Sequence, residues 1–207
     1  MQLQDILKLS PVVPVITIYH VEDAVPIAEA LIAGGIRIFE ITLRTPAGFP
    51  AIQQIVQKIP NSVVGVGTVI HPDQLLKAKD LGAQFAVSPG LTPLLLEAAQ
   101  MHKMPYLPGV GSGSDIMMAL QHNFNIVKPF PAELLGGTQW ITAHKTVFPH
   151  LNFFPSGGVT KDSMNHYLAL ESVVSVGGTW LTPADAIKRK DWAAITATAQ
   201  ETLSLVG

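Results

Sequence analysis

Eight short runs rich in β-branched and aromatic residues, each followed by a longer stretch with helical patterning, constrain this chain more than any other feature. They are Val12 to Tyr19, Ile36 to Leu43, Ser62 to Val69, Ala83 to Pro89, Met104 to Val110, Phe124 to Pro131, Leu151 to Gly158 and Val173 to Trp180. Strand runs alternating with helical ones read as βαβ units, and therefore as a parallel sheet. The runs are almost continuously apolar, as expected of strands covered on both faces. About eight such units in 207 residues favour a closed (β/α)8 TIM barrel, at the small end of that fold, over an open doubly wound sheet. Helix starts are marked by His71 before Pro72, Thr92 before Pro93, and Thr160 opening TKDSMNHYLAL, where caps and first-turn prolines belong. An extra N-terminal helix (Leu3 to Leu9) and a C-terminal helix (Asp185 to Val206) are expected to bracket the barrel. No linker or low-complexity tract interrupts it, so residues 1 to 207 are expected to form one domain.

Composition narrows the function classes. Thirteen basic residues against 15 acidic ones give a formal net charge of -2, which leaves no electrostatic footprint for nucleic acid or an anionic membrane. A small metabolite is the expected partner. The absence of cysteine excludes disulfides, thiolate metal sites and cysteine nucleophiles, and suits a reducing cytoplasm. Mean hydropathy is +0.34, yet every apolar run is cut by Gly, Pro or a charge well short of the roughly 18 residues a spanning helix needs. The opening MQLQDILKLS lacks the basic region and apolar core of a signal peptide.

In a barrel the site is expected at the carboxyl ends of the strands. Side chains alternate along a strand, so Ile38, Glu40 and Thr42 share a face that Arg44 continues; Ile126, Lys128 and Phe130 share another, and Val64, Val66 and Thr68 a third. If these faces point inward, a carboxylate, an arginine, a hydroxyl and an amine converge in one apolar mouth. Lys128 sits among Ile126, Val127, Pro129 and Phe130, where lost solvation would lower its pKa and free the amine to attack a carbonyl. A buried ion pair with Glu40, or a lysine snorkelling to solvent, is the structural alternative. Two glycine pairs, Gly157-Gly158 and Gly177-Gly178 followed by Thr179, end the last two runs. Loops there can present backbone N–H groups to a phosphate, although glycine also serves ordinary turns. The histidines (His20, His71, His102, His122, His144, His150, His166) fall in helices or connections rather than in the mouth, and no metal-ligand spacing appears. Trp140, Trp180 and Trp192 read as packing residues, and no dinucleotide fingerprint is present.

The segments FEITLRT, GVGTV, FAVSPG, VKPFPAE, PSGGV and VGGTWLTP resemble, in order, those of the bacterial 2-keto-3-deoxy-6-phosphogluconate aldolase family, which overlaps 4-hydroxy-2-oxoglutarate aldolase. The resemblance runs from about Val12 to Pro183. It implies a class I, metal-free and cofactor-free aldolase with its Schiff-base lysine at Lys128 and its general acid/base at Glu40. It further implies pyruvate-moiety binding by Arg44 and Thr68, pocket walls at Pro89 and Phe130, and phosphate binding around Gly157, Gly158, Gly177, Gly178 and Thr179. In this scheme Arg44 holds both Glu40 and the substrate carboxylate. A homotrimer is also implied, and the cysteine-free composition sets the expectation of a cytoplasmic location. Pro129 stands where the family usually has Phe, removing one N–H and biasing Lys128 towards an extended backbone. Cleavage of 2-dehydro-3-deoxy-6-phosphogluconate to pyruvate and glyceraldehyde 3-phosphate is the expected reaction. The alternatives are a 4-hydroxy-2-oxoglutarate or 6-phosphogalactonate-type keto-acid aldolase, a phosphate-binding isomerase or synthase in which Lys128 is only electrostatic, and a non-catalytic phospho-ligand binder.

Overall fold

Branched and aromatic residues favour pleated, packed backbone, and glycine and proline interrupt it. In the computed structural model, which describes residues 1–206, strands accordingly form inside every expected run, each shorter than the run itself. They are β1 (Val12–Ile16), β2 (Ile38–Thr42), β3 (Val63–Gly67), β4 (Phe85–Val87), β5 (Tyr106–Leu107), β6 (Gly109–Val110), β7 (Ile126–Pro129), β8 (Asn152–Phe153) and β9 (Val176–Gly178). The run Met104 to Val110 divides into β5 and β6 at Pro108, which has no N–H to give to a ladder. All pairings are parallel, so this is an α/β fold. One sheet has the order β5-β4-β3-β2-β1-β9 and the other β6-β7-β8. Isolated parallel bridges, Phe153 with Val173 and Ser156 with Gly177, join the flanks of β8 to those of β9.

Strand alternation divides the buried apolar residues between two clusters. Phe39, Ile41, Val64, Val66, Ala86, Tyr106, Val127 and Phe153 pack outward with the helices. Val13, Ile38, Val63, Phe85, Val87, Leu107, Ile126 and Phe154 pack on the opposite, inner face, together with Ile6 and Leu7 of the helix Leu3–Leu7. The Phe85 ring fills the space above Gly65, where a β-carbon would stand 2.2 Å from it.

Three expectations need correction. The parity reading of β3 was inverted: Val64 and Val66 face the helices, and Gly65 and Gly67 lie on the inner side. The expected single helix from Asp185 to Val206 is two, Ala184–Lys188 and Trp192–Ser204. Lys190 between them is left-handed at φ 55°, and the Asp191 side chain accepts from the Ala194 N–H to cap the second helix. Thr160 does not open its helix directly. It exchanges hydrogen bonds with Ser163, and the helix runs Met164–Leu168.

Candidate active site

Glu40 and Lys128 are carried to the inner face by the alternation that points Ile38 and Ile126 into the apolar cluster beneath them. Lys128 Nζ lies 3.5 Å from Glu40 Oε1, with side-chain exposures of only 5% and 1%. Burial holds the Lys128 pKa below its ordinary 10.5. The Glu40 charge opposes that shift, and the more distant Arg44 charge adds slightly to it. Oε2 of Glu40 is buried with no hydrogen-bond partner, so one oxygen steadies the amine and the other is left with an unused acceptor.

Backbone details make room for this pair. A β-carbon at Gly67 would stand 2.0 Å from Glu40 Oε1, so only glycine lets the carboxylate lie across β3. Gly109 pairs in register with Lys128 and abuts the backbone of Pro89 and Gly90. This brings Pro89 beside the lysine strand. Phe130 covers the other side, its ring centroid 5.1 Å from Nζ. Pro129 does not disturb the ladder: the Lys128 N–H donates to the Pro108 carbonyl at 2.8 Å and the Phe130 N–H to that of Val110 at 3.1 Å.

Beyond the pair, a cavity of about 720 Å³ opens between the ends of β1, β2 and β9, lined by Thr17, Arg44, Thr179 and Thr182 among others. Arg44 is exposed and makes no ion pair with Glu40, whose charged partner is Lys128. The expectation that Arg44 grips Glu40 is therefore corrected. Thr68 follows Gly67 with φ at 62°, an outlying conformation for a β-branched residue and one that ends the alternation of β3. Gly157 and Gly158 are left-handed at φ 88° and 86°, which only glycine adopts without strain. The Ser156 to Gly177 bridge sets the two glycine pairs side by side, with exposed Thr179 at the rim. The side-chain position of Gly178 is filled by the Trp180 ring at 2.3 Å, so Gly178 is also demanded by the seating of Trp180.

The cavity recruits residues that sequence reasoning passed over: Thr17, Tyr19, His20, Asp23, Thr182 and Lys190. His20 borders this cavity from the connection that follows β1. The strand-parity signal existed for Thr17, which extends the Val13 and Val15 face of β1. The others lie in loops or, for Asp23, in the 3₁₀ turn Val21–Asp23, where no period applied. Among the described residues there is no cluster of three or more His, Asp or Glu arranged to hold a metal.

Residues 3–198 match the family model for KDPG and KHG aldolase. The chain belongs to this family. A member from Dickeya dadantii, 2-dehydro-3-deoxy-phosphogluconate aldolase, is 45% identical over 97% of this chain and 94% of its own. The KDPG aldolase of Legionella pneumophila, solved with pyruvate captured at low pH as a covalent carbinolamine intermediate, superposes with a TM-score of 0.96 at 42% identity, covering 98% of each chain. A third aldolase of the family, from Zymomonas mobilis and solved with 3-phosphoglycerate, gives a TM-score of 0.93 at 42% identity over 98% of this chain and 95% of that one.

Proposed function

We propose that this protein is a class I aldolase that cleaves 2-dehydro-3-deoxy-6-phosphogluconate to pyruvate and glyceraldehyde 3-phosphate through a Schiff base on Lys128. The observation that carries this reading is the buried Lys128 and Glu40 pair, in which a desolvated amine faces a carboxylate with a free oxygen. The carbinolamine captured by the Legionella relative supports it.

The chemistry follows from the carbon skeleton. The neutral Lys128 amine attacks carbon 2, and loss of water from the carbinolamine gives an iminium. Glu40 supplies and removes the protons of that dehydration. When it takes the carbon 4 hydroxyl proton, the bond between carbons 3 and 4 breaks. The electron pair is absorbed by the iminium as an enamine, and the aldehyde departs. Protonation at carbon 3 and hydrolysis release pyruvate and restore the amine. No metal or organic cofactor has a role in this sequence. Arg44 and Thr68 receive the keto-acid carboxylate, Pro89 and Phe130 wall the reacting carbons, and backbone N–H groups around Gly157, Gly158, Gly177 and Gly178, with Thr179, receive the phosphate.

The linking bridges between the two sheets support a closed (β/α)8 barrel over residues 1–207 as one domain, with Leu3–Leu7 as an additional helix beneath it. The resemblance to the aldolase family stands behind the expectation of a homotrimer, which light scattering would test. No described helix is long and apolar enough to cross a membrane, and the cysteine-free chain suits the cytoplasm. The deciding experiment is borohydride reduction in the presence of pyruvate, followed by intact-mass measurement and peptide mapping. A pyruvate adduct on Lys128 is expected; no adduct, or one mapped to another lysine, rejects the mechanism.

A further inference from the structure

The proton inventory at the ends of β1 and β2 is fully determined by two hydrogen bonds. Thr42 Oγ1 lies 3.0 Å from the carbonyl oxygen of Ile16, which can only accept, so the single Thr42 proton is committed there. Thr17 Oγ1 lies 3.1 Å from Thr42 Oγ1. With the Thr42 proton already used, Thr17 must be the donor of that bond. Its own proton is then also committed, and only lone pairs of its hydroxyl remain to face the cavity it lines with Arg44 and Thr179.

Position gives this polarity a meaning. Val13 belongs to the inner apolar cluster, Val15 pairs in register with Glu40, and Thr17, two residues on, lies level with Thr42. Thr17 is therefore one layer above the Lys128 and Glu40 pair, where the part of a substrate beyond the scissile bond would pass towards the rim. An acceptor-only group there welcomes a donor and repels another acceptor. A hydroxyl of a sugar-derived chain supplies a donor; a carboxylate supplies none.

We propose that Thr17 is a specificity-determining residue whose oxygen accepts a hydrogen bond from a hydroxyl on the distal half of the substrate, favouring a polyhydroxylated keto acid over a short dicarboxylic one. This rests on the aldolase reading and names the substrate feature the site selects.

The test compares kcat/KM for 2-dehydro-3-deoxy-6-phosphogluconate and for 4-hydroxy-2-oxoglutarate in the wild type, Thr17→Val and Thr17→Ser, using coupled pyruvate release. Valine keeps the shape and leaves the Thr42 bond to Ile16 intact. The ratio of the two kcat/KM values should fall about tenfold in Thr17→Val, the effect of losing one neutral hydrogen bond, and Thr17→Ser should restore most of it. An unchanged ratio, or equal losses on both substrates, overturns the proposal by making Thr17 a strand-end packing residue. Failure of the aldolase reading itself looks different, because the wild type would then release pyruvate from neither substrate.

Discussion

The inner face of the sheet has two levels built by the same strands under opposite physical rules. At the lower level, Ile6, Leu7, Val13, Ile38, Val63, Phe85, Ile126 and Phe154 interdigitate with no polar atom among their side chains. One step up the same strands, β2 and β7 carry Glu40 and Lys128, buried to almost the same degree but charged. The lower level stabilises by removing apolar area from water. The upper level costs stability, because two charges are desolvated. A two-residue step along one face of a strand, from Ile38 to Glu40 and from Ile126 to Lys128, thus separates packing from chemistry, and rigid packing below is what holds the costly pair in place above.

The difference can be broken from either side. The largest effect is expected for Lys128→Arg, which keeps the cation but removes the attacking amine. Adduct formation and aldol cleavage should fall to background while circular dichroism stays native; substantial residual cleavage would mean that charge alone suffices. Glu40→Gln keeps the shape and loses proton transfer, so kcat should drop by about 10²- to 10⁴-fold while slow pyruvate trapping at Lys128 persists. Gly67→Ala should cost about 10²-fold in kcat, since displacing a reacting group by about 1 Å has that effect, with KM altered less. Full activity in Gly67→Ala would show that the carboxylate position is not critical. At the lower level, Phe85→Ala should lower stability by about 3–5 kcal/mol through the cavity it leaves, measured by urea unfolding. Its kcat at low temperature should stay within about twofold if the two levels are separable.

A smaller effect sharpens the electrostatic side. The amine reacts in its neutral form, so pyruvate trapping should rise with pH and level off below the ordinary lysine value of 10.5, because burial holds Lys128 lower. The Glu40 charge raises the Lys128 pKa against that burial. In Glu40→Gln this support is gone, so the rising limb should move to lower pH. A shift to higher pH, or none, would mean the two groups are not coupled across their 3.5 Å separation. The rim can be tested by Thr179→Asp, which should raise KM for the phosphorylated substrate by about tenfold through like-charge repulsion and leave the unphosphorylated one little changed. Thr179 suits this better than Gly178, whose substitution would collide with Trp180.

Much of this arrangement was already legible in the order of residues. Runs of branched residues located every strand, because propensity and alternation are local, and the period of two placed Ile38 with Glu40 and Ile126 with Lys128 on their faces. The same rule failed at β3. Branched Val64 and Val66 invited an inward reading, but Gly65 and Gly67, which alternate with them, face inward to admit Phe85 and Glu40, which only the neighbouring strands could dictate. It also failed at Thr68, whose left-handed backbone ends the alternation. The role of Thr17 was invisible for a related reason: its polarity depends on where the Thr42 proton goes, and Thr42 is 25 residues away in sequence. Local chemistry thus chose the strands, their faces and the reactive residue types. Tertiary structure alone decided the approach of Lys128 to Glu40, 88 residues apart, the release of Arg44 from Glu40 to the rim, and the direction of each hydroxyl, because distances and proton assignments across strands arise only when the strands are brought together.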